Sequence, residues 1–356
     1  MKILTLLITV GLAAIQAAPP EKVIGGPYVV NVGPRSATVM WVTESGEVSV
    51  GAEPAALDKK VPLLRAERVS LTGLSAGKTY YYDSFGGDAG KGSFKTPPTG
   101  PAKFEFVVYG DTRTRHDVHR KVIQAVLQYA HPDFVIHTGD LVADGNDNSL
   151  WPTFFDAERE LLRKVALYPA LGNHDRNSKN YFDYMNAVPY YSFDWGTSHF
   201  IVINTDIGNA GRTEAEKQAF WMEQTRWLEA DLAASQKADH RFLFGHHPPM
   251  TAVKSRQGDN PQMMALELMF RKYKLTAGMF GHDHNYQHYL KDGIHYFVTG
   301  GGGAPLYAVD SPPPGITQKV ESTENFIDVQ VDGKAVHIEA KRPDGSIIDS
   351  TDIPAK

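Results

Sequence analysis

Residues 276–284 read Thr276-Ala277-Gly278-Met279-Phe280-Gly281-His282-Asp283-His284: an apolar run, a glycine, then three metal-capable side chains. The same pattern occurs four more times. Phe104-Glu105-Phe106-Val107-Val108-Tyr109 leads into Gly110-Asp111, and Phe134-Val135-Ile136-His137 precedes Gly139-Asp140. Leu167-Tyr168-Pro169-Ala170-Leu171 precedes Gly172-Asn173-His174-Asp175, and Arg241-Phe242-Leu243-Phe244 precedes Gly245-His246-His247. Short apolar runs closed by glycine predict buried strands. Val118, Val122, Ile123, Val126 and Leu127 recur at helical spacing, and Glu214 to about Leu232 predicts a long amphipathic helix. Strands alternating with helices give an α/β layered domain. In such domains ligands bind beyond the carboxyl ends of the strands, so five such ends can share one crevice.

The six groups Asp111, Asp140, Asn173, His246, His282 and His284 are carboxylate, amide oxygen and imidazole. Such donors suit Zn, Fe, Mn and related ions, and six are enough for two metals sharing a carboxylate. Two metals about 4 Å apart suit phosphoryl transfer, because both can hold the displaced oxygens. Each piece alone is weak: a Gly-Asp after a strand is commonly a turn, and Asn173 or Asp175 can cap a helix. The joint recurrence in five strand ends carries the reading.

Composition narrows the chemistry further. With 42% hydrophobic and 22% charged residues, the 356-residue chain is an ordinary globular protein. Its formal net charge of −5 provides no basic excess for a phosphate backbone, so no nucleic-acid partner is expected. The absence of cysteine excludes disulfides, thiolate metal sites and cysteine nucleophiles.

Met1-Lys2, the apolar run Ile3 to Ile15 and the small residues Ala17-Ala18 have the layout of a secretory signal over residues 1–18. The run is short for a membrane span, which needs about 20 apolar residues. An exported protein, periplasmic or secreted, with no stable span after cleavage is expected. Residues 23–98 read as short strands punctuated by glycine, among them Tyr28 to Val32, Ala37 to Val42 and Thr79 to Tyr82. This stretch resembles a fibronectin type III module, with Trp41 as its core tryptophan. Leu74, Gly77 and Tyr80 would form a corner whose tyrosine hydroxyl bonds back to the backbone. Pro97-Pro98-Thr99-Gly100-Pro101 reads as a stiff linker. The second domain is expected over 103–341, ending in a hairpin around Asp332-Gly333, with a tail at 342–356.

The order Asp, Gly-Asp, Gly-Asn-His, Gly-His, Gly-His-X-His over residues 103–341 resembles the calcineurin-like metallophosphoesterase superfamily. With the front module, the chain is most similar to its purple acid phosphatase branch in a bacterial exported form. The resemblance implies a two-sheet β sandwich flanked by helices, with a dinuclear centre at the strand ends. It implies that Asp111 and His284 bind the first metal and that Asp140 bridges both. Asn173, His246 and His282 would complete the second. His174 would contact substrate and protonate the leaving oxygen, and a metal-held hydroxide would attack phosphorus.

Two positions depart from the family pattern. Purple acid phosphatases place a tyrosine three residues after the bridging aspartate, where this chain has Ala143. The wider superfamily often places a histidine two residues after the first aspartate, where this chain has Arg113. Arginine cannot ligate a metal. Two readings of Arg113 stand open: a bidentate hold on a phosphate oxygen, or a salt bridge to Asp111 or Asp144. His116 and His137 are substitute ligands or supports behind the ligands. His247 faces substrate or caps its loop, and Gly300 to Gly303 cradle phosphate or turn the backbone near the site. Trp151, Phe154, Phe155, Tyr190, Tyr191, Trp221, Trp227 and Leu228 are expected to pack, the first five having a mouth-lining role as the alternative.

These readings predict an exported enzyme with two Fe, Zn or Mn ions, hydrolysing small phosphomonoesters. Phosphodiester hydrolysis is the alternative, and a non-catalytic binding protein with a degraded metal site is the third reading.

Overall fold

The computed structural model describes residues 22–354, so the signal segment 1–18 lies outside the described residues. The front of the chain forms β1 (Lys22–Gly33), β2 (Ser36–Val50), β3 (Lys59–Thr72), β4 (Thr79–Asp83) and β5 (Lys91–Lys95). Next come β6 (Lys103–Tyr109), α1 (His116–Tyr129), β7 (Phe134–His137), α2 (Trp151–Leu162), β8 (Ala166–Pro169) and α3 (Lys179–Met185). β9 (Tyr191–Trp195), β10 (Ser198–Val202), α4 (Glu214–Ala234), β11 (His240–Phe244), α5 (Pro261–Lys272) and β12 (Ala277–Phe280) follow. The chain closes with β13 (Tyr286–Lys291), β14 (Ile294–Thr299), β15 (Thr317–Glu321), β16 (Phe326–Asp332), β17 (Ala335–Lys341) and β18 (Ile347–Ile353).

Two large sheets result. One has nine strands in the order β18-β17-β16-β6-β7-β8-β1-β2-β3, the other seven in the order β15-β13-β14-β12-β11-β10-β9. Period-two alternation divides their side chains between layers. From β6, Phe104, Phe106 and Val108 enter the core between the sheets, where they meet Phe200, Phe242, Phe244 and Met279. Val107 and Tyr109 face the other way and pack under Val122, Val126 and Phe154 of α1 and α2. On the far side Ile201 and Leu243 pack under Leu228 and Leu232 of α4 and Phe270 of α5. Burial on both faces explains why these strands are continuously apolar. The two-sheet sandwich flanked by helices is therefore present.

The front segment is joined to the large sheet. β1 pairs with β8 through Val29 and Ala166, so β1, β2 and β3 extend the nine-stranded sheet. Val29 and Val39 join the core between the sheets. Tyr28, Val30, Met40 and Val42 join the layer containing Phe155 and Leu161. A strand apolar on both faces belongs inside a covered sheet rather than on a half-solvated sandwich, which is the physical reason for the difference. Only β4 and β5 form a separate two-stranded sheet among the described residues. The tyrosine corner is present: Ser75 N–H donates to the Tyr80 hydroxyl at 2.8 Å, with Gly77 at φ +65°. Trp41, expected as a core residue, is only partly buried and meets Phe85 edge-on.

The expected tail is likewise structural. β18 pairs antiparallel with β17 and forms the edge of the nine-stranded sheet. The hairpin at Asp332-Gly333 joins β16 to β17. Trp151, Phe154 and Phe155 are fully buried in the helical layer and line no mouth. Trp221 and Trp227 pack partly buried beside Leu228, and Tyr190 rests against Trp227. Among the described residues no helix is long and apolar enough to cross a membrane.

α4 is tied to the sheet by charge as well as by leucines. His199 of β10 bonds Asp194 and Asp231 with both ring nitrogens, each at 2.7 Å. Burial disfavours the charged ring, but the two carboxylates outweigh it and raise the imidazole to about 9. A raised imidazole stabilises the fold fully below its unfolded value of about 6.5 and loses that contribution as pH climbs through the folded value. Thermal melts from pH 6 to pH 9.5 are expected to show falling stability over the upper part of that range. His199→Gln should flatten this fall; an unchanged slope would exclude the clamp. A chain beginning at residue 99 is expected to lack a cooperative melt, because it exposes the β8 edge and both apolar layers. A cooperative transition would restore the separate-module reading.

Candidate metal centre

The glycine-ended strands meet at one edge of the sandwich. β6, β7 and β8 are parallel neighbours in one sheet, and β11 and β12 are parallel neighbours in the other. Their carboxyl ends therefore open on the same side. The chain turns sharply just after them, with Asp111 at φ +58°, Asp140 at +57° and His282 at +70°. Non-glycine residues rarely hold this left-handed geometry, and where they do the surroundings must enforce it. Here the turns are stitched together: Asp111 N–H donates to Gly139 O at 2.9 Å, and Gly281 N–H to His246 O at 3.0 Å. A Cβ on Gly281 would collide with Asp111 Oδ2, so only glycine admits that approach.

Three donors converge tightly. His246 Nε2 lies 3.1 Å from Asn173 Oδ1 and 3.2 Å from His282 Nδ1, which is itself 3.1 Å from Asn173 Oδ1. Asp140 Oδ1 stands 3.5 Å from His246 Nε2. His246 Nδ1 faces the Thr138 carbonyl at 2.8 Å and donates its proton there. Nε2 is then a lone pair opposed to a second acceptor, Asn173 Oδ1. Such an arrangement needs a proton or a cation between the acceptors. Its spacing matches donors around an ion with bonds of about 2.0–2.1 Å. Asp140, Asn173, His246 and His282 thus fit one metal ion.

Asp111 also brings a carboxylate oxygen near ligand atoms of Asp140 and His246, while its other contacts lie toward His284. Asp111 Oδ1 is buried without a hydrogen-bond partner among the described residues and lies 3.5 Å from His284 Nε2. His284 Nδ1 donates to Pro305 O at 2.6 Å, and its ring stacks on Tyr307. Arg113 enters this half of the site. Its Nε donates to Asp140 Oδ2 at 3.2 Å and its Nη2 reaches His284 Nε2 at 3.5 Å. The salt bridge expected to Asp111 or Asp144 is instead made to Asp140.

Charge is distributed accordingly. Burial opposes ionisation of Asp140, but His246, His174 and Arg113 hold its carboxyl below the usual range. Burial also opposes protonation of His246, while Asp140 and Asp111 raise it. Burial and the neighbouring imidazoles push His282 and His247 well below the ordinary histidine range. The neutral ring is the form that binds metals.

The remaining candidates separate clearly. His174 donates its backbone N–H to Asp140 Oδ1 at 2.8 Å, and its Nδ1 bonds the Ala143 carbonyl at 2.8 Å. His247 places a ring nitrogen near those of His246 and His282. His137 is not a ligand: its ring is buried and bonds Thr112 Oγ1 and Gly139 N–H. His116 opens α1 and bonds none of the candidate ligands. Gly300 to Gly303 form a turn against the site, with Gly302 N–H donating to Gly110 O at 3.0 Å.

Supporting residues without a periodic sequence signal complete the centre. Asp175 is buried and accepts N–H groups from Gly172 at 2.8 Å, Asp140 at 2.9 Å and Leu141 at 3.0 Å. Burial, with the Asp140 charge beside it, raises its carboxyl. Its position next to Asn173-His174 was visible, but spacing suggested only a cap. Thr205 Oγ1 accepts both His246 N–H at 3.2 Å and His247 N–H at 2.8 Å. Its own proton is therefore directed to His247 Nδ1 at 3.0 Å, which leaves His247 with an Nε2–H donor.

A family model for calcineurin-like phosphoesterases matches residues 104–286, half of the chain. The chain belongs to the calcineurin-like phosphoesterase family. Tartrate-resistant acid phosphatase type 5 of Homo sapiens is 28% identical over 221 residues, covering 53% of this chain and 66% of that protein. Acid phosphatase type 7 of Homo sapiens is 25% identical over 324 residues, 78% of this chain and 72% of that one. Purple acid phosphatase PPD1 from yellow lupin (Lupinus luteus) seeds shares the fold, with a TM-score of 0.71 at 19% identity over 92% of this chain and 73% of that chain. The phosphoesterase family match covers all the expected ligand positions, from Asp111 to His284.

Asp175→Ala is expected to leave three buried N–H groups unpaired, at about 1–3 kcal/mol each. Denaturant unfolding should show a loss of at least about 3 kcal/mol; a loss below about 1 kcal/mol would exclude this role for Asp175.

Proposed function

We propose that the chain is an exported, metal-dependent hydrolase of small phosphomonoesters. The observation that carries this reading is the convergence of Asn173 Oδ1, His246 Nε2 and His282 Nδ1 beside Asp140, with Arg113 next to them. The acid phosphatase relatives favour a monoester. Fe, Zn and Mn all suit these donors. A divalent ion, when bound, supplies Lewis acidity toward a phosphoryl oxygen and makes water a competent nucleophile near neutrality.

The chain's own groups divide the remaining work. Asp140, Asn173, His246 and His282 hold the ion. Arg113 uses Nε and Nη2 on protein groups, which leaves Nη1 for a phosphoryl oxygen. The His247 Nε2–H supplies a second donor to phosphate. His174, steadied through Nδ1 on Ala143 O, delivers a proton from Nε2 to the leaving oxygen. The two-ion expectation is unevenly supported: four donors suit one ion, whereas Arg113 stands among the donors expected for the other.

Hydrolysis of 4-nitrophenyl phosphate is expected to exceed that of bis(4-nitrophenyl) phosphate, with Asp140→Asn removing both. Diester preference would move the protein to phosphodiester hydrolysis, and no activity with Fe, Zn or Mn would favour a binding role. His174→Ala should lower kcat on an alkyl phosphate by roughly 10²–10⁴-fold. It should matter less for 4-nitrophenyl phosphate, whose leaving group needs little protonation. Equal losses on the two substrates would remove His174 as the acid.

A further inference from the structure

We propose that Arg113 takes the place of one metal ion, so that the centre works with a single divalent ion and a permanent guanidinium. This rests on the metal-dependent reading above and specifies its cation content. The guanidinium lies between Asp140 Oδ2, at 3.2 Å, and His284 Nε2, at 3.5 Å. Those atoms, with Asp111 Oδ1, are the donors a first ion would use, and Ala143 and Arg113, at the positions where the resemblance implies further ligands, supply none. The ion and the guanidinium would compete for the same lone pairs, and two cations at this distance repel.

The arginine is held in place. Its side chain is 14% exposed, its backbone N–H donates to Asp140 O at 3.4 Å, and its charge sits against a carboxylate that is 1% exposed. Arginine stays protonated under all working conditions, so the positive charge at this half of the centre is fixed. An ion there could be lost to a chelator; a guanidinium cannot. The planar group also retains Nη1 for phosphate, so it supplies charge and orientation but no Lewis acidity. Attack and charge neutralisation would therefore be divided between unlike partners: the ion held by Asp140, Asn173, His246 and His282 on one side, and Arg113 on the other. Asp111 Oδ1, buried and without a hydrogen-bond partner among the described residues, and His284 Nε2 remain as donors that a second ion could use if the guanidinium were removed.

The test is a metal count on the full chain, stripped with chelator and reloaded with Mn²⁺, read by elemental analysis and low-temperature electron paramagnetic resonance. Wild type is expected to bind one Mn²⁺ with the spectrum of an isolated ion. His284→Ala should leave that count at one, whereas Asn173→Ala combined with His282→Ala should bring it to zero. Arg113→His should bind two ions with an exchange-coupled spectrum, and Arg113→Ala serves if the histidine variant is insoluble. Two coupled ions in wild type would overturn the proposal while leaving phosphoester hydrolysis intact. A count of one that falls to zero in His284→Ala would overturn it too, by placing the ion at the other position. Arg113 variants that stay at one ion would show that the guanidinium does not exclude the second. No bound Mn²⁺ in wild type, together with no hydrolysis, would instead remove the metal-dependent reading itself.

Discussion

The centre depends on one constraint: two separate sheets must present their strand ends at the same edge. Neither sheet holds the full donor set. Asp111, Asp140 and Asn173 follow β6, β7 and β8, while His246, His282 and His284 follow β11 and β12. Only face-to-face packing of the sheets joins the two halves. That packing is largely aromatic. Phe106 stacks on Phe134 with ring centroids 5.2 Å apart and meets Phe200 and Phe242 across the interface at 5.3 and 5.5 Å. Large rigid rings bury much area with few rotamers, so they hold two sheets in one relative position.

Strain at the site is what that rigid interior supports. Asp111, Asp140 and His282 all hold left-handed backbone just beyond their strands. Each such residue costs on the order of 1–3 kcal/mol. The cost is met by hydrogen bonds that cross from one strand end to the next. Asp175 gathers three of them, and Thr205 two more. The same turns aim the side chains of consecutive strand ends at a common point, which straight strands could not do.

Much of this was legible from sequence. Five apolar runs ending in glycine and a donor residue predicted the α/β layers and the strand ends at which the candidate donors gather. That much was readable because strand burial and turn geometry are local and leave a local pattern. The joining of the front strands to the nine-stranded sheet was not legible, for an identifiable reason. β1 and β2 carry apolar residues on both faces, yet short strands and a tyrosine corner look alike whether they close on themselves or extend another sheet. β18 was missed because Ile347 to Ile353 is half polar, as an edge strand can afford to be.

The sequence alone determined the chemistry open to the centre: nitrogen and oxygen donors, no thiolate, and at positions 113 and 143 an arginine and an alanine, neither of which can ligate. These are statements about residue identity at positions defined by short-range spacing. The tertiary structure decided what Arg113 does. Its contact with His284 spans 171 residues and two sheets, and no spacing rule reaches that far. A long charged side chain has many possible partners, and the one it takes is set by which carboxylate the fold leaves in reach. The same holds for Val29 and Ala166, whose pairing joins the front strands to the sheet. Periodicity specifies which face of a strand is buried; only the folded chain specifies what it is buried against.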